Sequence, residues 1–307
     1  MQSRIVNPYG KYDYERMTRD LQKLERRFDF IAVSSIGGTF EGREIPAVRM
    51  GEGDKKILLV GTHHGREYIT AAYLMKSIEL LCGFSAGNYV LQGMETDKIM
   101  EGKQFCFVPM LNPDGVNISI FGPGAAQYPE RIEKMRLIGP TYETWKANAN
   151  GVDLNRSYPC LFEQKSTLVC VPASELFKGA APGSESEVLS LMHLCDSQGF
   201  TLAASFHAKG EEIVFTDRNS EGKTPEAERI AQAAADVSGY KVMPPSSDPG
   251  GYAAGFENWF RQRYLKPCLL IRISPDTGGF IPHNMKDFDR LVWDDAKYII
   301  PVLAYTL

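Results

Sequence analysis

In the segment GTHHGREYIT (61–70), His64 and Glu67 stand three residues apart. On a helical turn that spacing puts both side chains on one face, within reach of a single cation. A neutral imidazole and a carboxylate are a donor pair that suits zinc. Alone the pair is a weak signal. His64 also reads as a loop histidine, and Glu67 as a first-turn acid favoured by the helix dipole. A catalytic zinc takes three protein ligands and keeps one position open. The third donor must come from few candidates, because the chain has 5 histidines against 38 acids. His193 falls in a helical stretch, His283 in a late loop, and His63 has Arg66 rather than an acid three residues on. His207 differs, since it follows directly on the apolar run TLAASF (201–206). His64, Glu67 and His207 together would make a His2Glu site for one Zn2+ ion.

A second group lies in WKANANGVDLNRSYP (145–159), where Asn155 and Arg156 are adjacent in a Gly- and Pro-bounded loop. A guanidinium binds a carboxylate bidentately, and an amide can complete the clamp. The same dipeptide also reads as a solvated arginine beside a turn asparagine.

These residues need elements to hold them. Residues 57–61 (ILLVG) and FCFVPM (105–110) are continuous apolar runs, as in strands covered on both faces. Helical spacing over 11–27 and 67–81 surrounds the first of them. A turn at 36–38 leads into a hairpin through Phe40 to Met50, and residues 112–183 read as irregular. Ser184 and Glu187 form a capping box for a helix to Cys195, followed by strands at 201–206 and 212–216. Thr224 caps a helix with Pro225 at its first position and Gly239 near its end. A short helix at 255–264, a strand at 268–273 and a last helix at 288–303, broken at Pro301, complete the chain. Strands alternating with helices predict an α/β fold: a single domain over 1–307, with a mixed, mostly parallel β-sheet flanked by helices on both faces. In such sheets sites lie beyond the strand C-termini, where His64 and His207 fall.

Composition narrows the partners. The formal charge of −4 over 307 residues gives no reason to expect nucleic acid or an anionic membrane. No run approaches the length that spans a bilayer, and the N-terminus lacks the features of a secretory signal. The 6 cysteines show no C-x-x-C spacing. They read as reduced thiols in a cytoplasmic protein, with Cys160 and Cys170 the one pair that could close a loop.

Taken together, these segments resemble the zinc metallocarboxypeptidase family of the carboxypeptidase A type. The motifs are HGRE (64–67), GVDLNR (151–156), GAAPGSESE (179–187) and SFH (205–207), in the family's order. With IGGTFEGREIPAVRMG (36–51) the resemblance covers most of the chain. WKAN (145–148), NPDGV (112–116) and SFHAKGEE (205–212) are similar to the bacterial branch that includes γ-D-glutamyl-diamino acid peptidases of cell-wall peptides.

The resemblance implies zinc-dependent hydrolysis of the C-terminal amide of short peptides with a free carboxylate. His64, Glu67 and His207 would hold the zinc, and Asn155 and Arg156 the substrate carboxylate. Arg66 would line the cleft. Lys146 would take the role of the arginine that polarises the scissile carbonyl, as a point charge rather than a fork. Tyr252 is nearest to the tyrosine that closes over substrate. Glu257 lies near the segment that faces the terminal side chain, where an acid would favour lysine or diaminopimelate; it also reads as a helix-surface acid.

One departure matters. The family's general base is a glutamate on a late strand, and the matching position in KPCLLIRISP (266–275) is Arg272. Neighbouring registers offer Ile271 or Ile273, so no register supplies a carboxylate. A guanidinium stays protonated and cannot accept a proton from the attacking water. Loss of a general base costs roughly 10²–10⁴ in rate. The alternative to a working peptidase is therefore an impaired or inactive relative that binds peptide. A nearby acid, Glu211, Glu212 or Asp276, would otherwise have to substitute.

Overall fold

Along Ile57–Val60 successive side chains point to opposite faces of a pleated strand. Ile57 and Leu59 enter one apolar core, and Leu58 and Val60 enter another. The same alternation recurs where Phe105 and Phe107 face the first core and Cys106 and Val108 the second. A strand buried on both faces must lie between two layers of helices, and it does. The structure, a computed structural model, describes residues 5–85, 95–279 and 282–307.

The described residues form an eight-stranded sheet. Its strands are β1 (Ile31–Gly38), β2 (Glu44–Met50), β3 (Lys55–Gly61), β4 (Lys103–Val108), β5 (Leu202–His207), β6 (Glu212–Val214), β7 (Lys241–Met243) and β8 (Cys268–Arg272), in the spatial order β1-β2-β4-β3-β5-β8-β6-β7. β3 pairs in parallel with β4 and β5, and β5 with β8. β1–β2, β2–β4 and β6–β8 are antiparallel, and β6–β7 is parallel. The first core takes Met17, Leu21 and Leu24 of helix Tyr14–Arg27, most of helix Ile69–Ser85, and Ile230, Ala231 and Ala234 of helix Glu226–Ser238. The second takes Val188, Leu191 and Leu194 of helix Ser186–Gln198 and Phe256, Trp259 and Phe260 of helix Phe256–Tyr264. Full burial of each large apolar side chain contributes roughly 1.5–3 kcal/mol. This is the mixed α/β sheet with helices on both faces that the sequence pattern predicts.

Because β3, β5 and β8 run the same way, their C-terminal residues Gly61, His207 and Arg272 share one edge of the sheet. The chemistry-bearing residues collect there.

Local details differ from the sequence expectations. The first helix begins at Tyr14, because the Asp13 carboxylate caps it by accepting from the Arg16 N–H. Gly37 and Gly38 end β1, and the hairpin turn lies at 39–43. The stretch taken as irregular contains helix Pro113–Phe121, capped by Asn112 with Pro113 at its first turn. The capping box of Ser184 and Glu187 does not form. Ser184 Oγ donates to Glu185 Oε1 (2.9 Å), and Glu187 turns inward to Asn148 and Ser186. Helix Glu226–Ser238 starts one residue later than expected, with Pro225 as its cap and Thr224 offering only its carbonyl, to Ala227. The break in the last helix precedes Pro301, which sits in the first turn of helix Ile299–Tyr305. There its missing N–H costs nothing. Cys160 and Cys170 are free thiols, and Cys160 donates to Asn258 Oδ1. Among the described residues no helix is long and apolar enough to cross a membrane.

Candidate metal centre and peptide cleft

Thr62 follows β3 with a left-handed backbone (φ 55°), held by bonds from its N–H and hydroxyl to Thr70 and Pro109. That conformation is costly for a β-branched residue. It turns the chain off the sheet edge into the short 3-10 turn Gly65–Glu67. The turn is then pinned from outside. Gly65 and Arg66 N–H groups donate to the carbonyls of Lys146 (2.9 Å) and Trp145 (2.7 Å). Gly65 is required because a Cβ there would sit 2.3 Å from the Gly115 carbonyl. The WKAN segment and the NPDG helix start therefore clamp the HGRE turn.

The clamp and the end of β5 bring three buried donors together. His64, Glu67 and His207 each offer one ligand atom, all within 4.8 Å of one another. His64 Nδ1 lies 2.9 Å from Glu67 Oε1, and His207 Nδ1 lies 3.1 Å from Glu67 Oε2. The two Nδ1 atoms are 3.2 Å apart. On the far side of the ring, His64 Nε2 faces Asp153 Oδ1 at 3.2 Å. An imidazole that donates from Nε2 keeps a lone pair on Nδ1. Two imidazole nitrogens and a carboxylate converging with lone pairs inward fit a zinc ion by donor type and number.

The same contacts set the electrostatics of the metal-free site. Burial pushes the Glu67 carboxyl up, yet His64 and His207 hold it well below its usual range. Burial works the same way on Asp153, and His64, Lys146 and Arg156 overcome it. For His207, burial opposes the charged form, but Glu257 and Glu67 raise its pKa to about 9. His63 is fully buried against His207 and Phe256, and burial lowers its pKa to about 3.

These donors open onto a cavity of about 450 Å³ that also exposes Lys146, Asn155, Arg156, Tyr252, Glu257 and Arg272. Asn155 and Arg156 lie on the short turn Leu154–Arg156. Asn155 is oriented by its Oδ1, which accepts from the Phe256 N–H at 2.8 Å. Arg156 Nε stands 3.6 Å from Asp153 Oδ2. Arg66 goes elsewhere. Its guanidinium donates to the Thr144 carbonyl and pairs with Glu175 (3.3 Å), lining a neighbouring cavity of about 190 Å³ with Glu67, Lys209 and His283. Glu257 is not on the helix surface. It is 5% exposed and faces His207.

Arg272 ends β8 as the register partner of His207 and lines the main cavity. Its Nη1 donates to Glu212 Oε2 at 2.7 Å. Glu212 is thus occupied by the arginine, and neither Glu211 nor Asp276 lines the main cavity. Asp276 instead accepts from the Gly278 N–H in its own turn.

Sequence reasoning missed three participants. Asp153 sits inside GVDLNR, one turn before Arg156, where its spacing offered a signal. Ser205 hides in an apolar strand, with Oγ 2.8 Å from His207 Nε2. Lys165 carries no local pattern, yet it is 5% exposed, lines the cavity, and donates to the Gly251 carbonyl. Burial and the Arg156 charge lower its pKa to about 8.

The family model described as zinc carboxypeptidase matches residues 17–245. The chain is 29% identical over 294 residues to the γ-D-glutamyl-L-diamino acid endopeptidase 1 of Lysinibacillus sphaericus, covering 94% of this chain and 71% of that protein. It is 28% identical over 338 residues to the inactive metallocarboxypeptidase ECM14 of Saccharomyces cerevisiae, covering 97% of this chain and 72% of that one. Its fold matches the crystal structure of thrombin activatable fibrinolysis inhibitor with a TM-score of 0.72 at 16% identity, over 98% of this chain and 76% of that one.

Proposed function

Because the chain belongs to the zinc carboxypeptidase family, we propose that it holds one zinc ion at His64, Glu67 and His207 and hydrolyses the C-terminal amide of short peptides. The observation that carries this reading is the convergence of those three donors, within 4.8 Å, on the cavity that also presents Asn155 and Arg156. A zinc ion bound there supplies Lewis acidity toward the scissile carbonyl and the attacking water. Arg156, oriented by Asp153, takes the free carboxylate of the substrate, with Asn155 beside it. Lys146 lines the same cavity as an ammonium point charge for the developing oxyanion. Tyr252 lines the same cavity and would cover a bound peptide. The relative named for γ-D-glutamyl-L-diamino acid endopeptidase activity supports cell-wall peptides of that kind as substrates.

The test is metal analysis with a turnover assay. Purified protein should carry zinc near one equivalent and release the terminal diamino acid from a γ-D-glutamyl tripeptide. Absence of zinc, with His64→Ala unchanged in metal content, would overturn the reading.

Arg272 favours a second reading, in which the protein binds such peptides with little or no turnover. The general-base position lines the cavity as a guanidinium already paired to Glu212. A peptide that binds tightly to the zinc-loaded protein yet survives prolonged incubation would support it. Rapid cleavage would exclude it.

A further inference from the structure

Behind the metal-facing edge of His207 lies a polar group of which the peptidase reading uses only Asn155. His207 offers Nδ1 to His64 and Glu67, so its Nε2 points the other way. Three side chains meet that nitrogen: Ser205 Oγ at 2.8 Å, Asn155 Nδ2 at 3.4 Å and Glu257 Oε1 at 3.5 Å. Asn155 Nδ2 also reaches Glu257 Oε2 at 3.4 Å. Glu257 is 5% exposed, and its Oε1 receives no hydrogen bond among the described residues. That buried carboxylate oxygen is an open acceptor within ion-pair distance of Nε2.

The partners sort themselves by donor and acceptor. If Nδ1 is to present a lone pair, Nε2 must carry the proton and needs an acceptor. The Asn155 amide group is itself a donor and cannot serve. The Ser205 hydroxyl, 2.8 Å from Nε2, can accept from it and still donate its own proton to another acceptor. Glu257 is the one anion of the group. The opposite histidine is built alike, with Asp153 Oδ1 behind His64 Nε2 at 3.2 Å.

We propose that Glu257 is a positioning residue for the metal ligand His207, acting beside Ser205 to fix the tautomer that offers Nδ1. This rests on the zinc reading of the site but not on turnover. It also gives Glu257 a role different from both expectations, a helix-surface acid or, by the family resemblance, an acid near the segment that faces the substrate's terminal side chain. An acid directed at His207 has no free charge for a substrate ammonium.

Zinc affinity tests it, measured on the full chain by competition with a chromophoric chelator. Glu257→Gln keeps size and polarity and removes the charge. It should weaken zinc binding by ~10-fold or more, as loss of an outer-sphere carboxylate does. Ser205→Ala should weaken it in the same direction, and Asp153→Asn gives the scale from the His64 side. With both proteins metal-free, the 15N shifts of the neutral His207 ring should report a proton on Nε2 in wild type and a mixed tautomer population in Glu257→Gln. The shift readout separates positioning from a general loss of fold. Zinc affinity within twofold of wild type in both Glu257→Gln and Ser205→Ala would overturn the proposal, as would lost preference for Lys-ended over Phe-ended peptides with zinc affinity intact. Wild type that binds no zinc would bring down the metal reading and this proposal together, whereas tight wild-type binding unaffected by Glu257→Gln removes this proposal alone.

Discussion

Arg272 is the register partner of His207 across the parallel ladder of β5 and β8, one strand away from a histidine of the candidate metal centre. Its guanidinium reaches the opposite way, to Glu212 on β6. A positive charge thus stands at the sheet edge where a carboxylate would serve as proton acceptor, and Glu212 partly neutralises it.

Arg272→Glu should restore a carboxylate at that position. Turnover of a γ-D-glutamyl tripeptide should rise by roughly 10²-fold or more, the usual worth of a general base. The new acid would face Glu212 across the β6–β8 pair, so the double variant with Glu212→Gln should be better still. Steady-state kcat for the wild type and both variants decides it.

His64→Ala and His207→Ala should each abolish stoichiometric zinc. A ligand that binds only the folded state stabilises it by mass action, about 2.7 kcal/mol at a hundredfold excess over Kd. Added zinc should therefore raise the wild-type melting temperature and leave both variants unmoved. Calorimetry with and without zinc reads this directly.

Gly65→Ala should break the clamp on the HGRE turn. The added Cβ would meet the Gly115 carbonyl carbon and oxygen at 2.3 Å, backbone atoms with no rotamer to yield. Overpacking of this kind costs roughly 1–3 kcal/mol. The melting temperature of the metal-free protein should fall, and zinc affinity with it.

Glu187 gives a pH signature remote from the metal. Burial raises its pKa from 4.5 to about 8, with Asp114 and Glu185 adding to the rise. The native state then holds a proton that the unfolded chain has released, so stability falls as pH rises between those values. The loss is on the order of 1.4 kcal/mol per pH unit in that window and is complete above the folded pKa. Glu187→Gln removes the titration. Its melting temperature should exceed that of wild type at pH 8.5 and differ little at pH 5.

The fold class and the grouping of His64, Glu67 and His207 were legible in the sequence because both depend on local regularities. Apolar runs of strand length and helical spacing mark buried strands between helix layers. A three-residue spacing at a strand exit marks His64 and Glu67, and a histidine ending the next parallel strand marks His207. Helix starts were less legible. Ser184 and Glu187 match a capping box in spelling, but Asn148 draws Glu187 inward.

What the tertiary structure alone decided is where side chains point once distant segments meet. Glu257 reads as a surface acid or a substrate contact, and only the packing of helix Phe256–Tyr264 against β5 turns it to His207. Lys165 has no pattern at all, and the cavity wall alone exposes it. The absence of a carboxylate at position 272 was plain from the residue type. That Glu212 is held by Arg272 while Glu211 and Asp276 lie off the main cavity required the register that pairs Glu212 with Arg272. Sequence determines which groups exist and how neighbours along the chain share a face. Contacts between residues far apart in the chain depend on strand order and register, which short-range spacing does not encode.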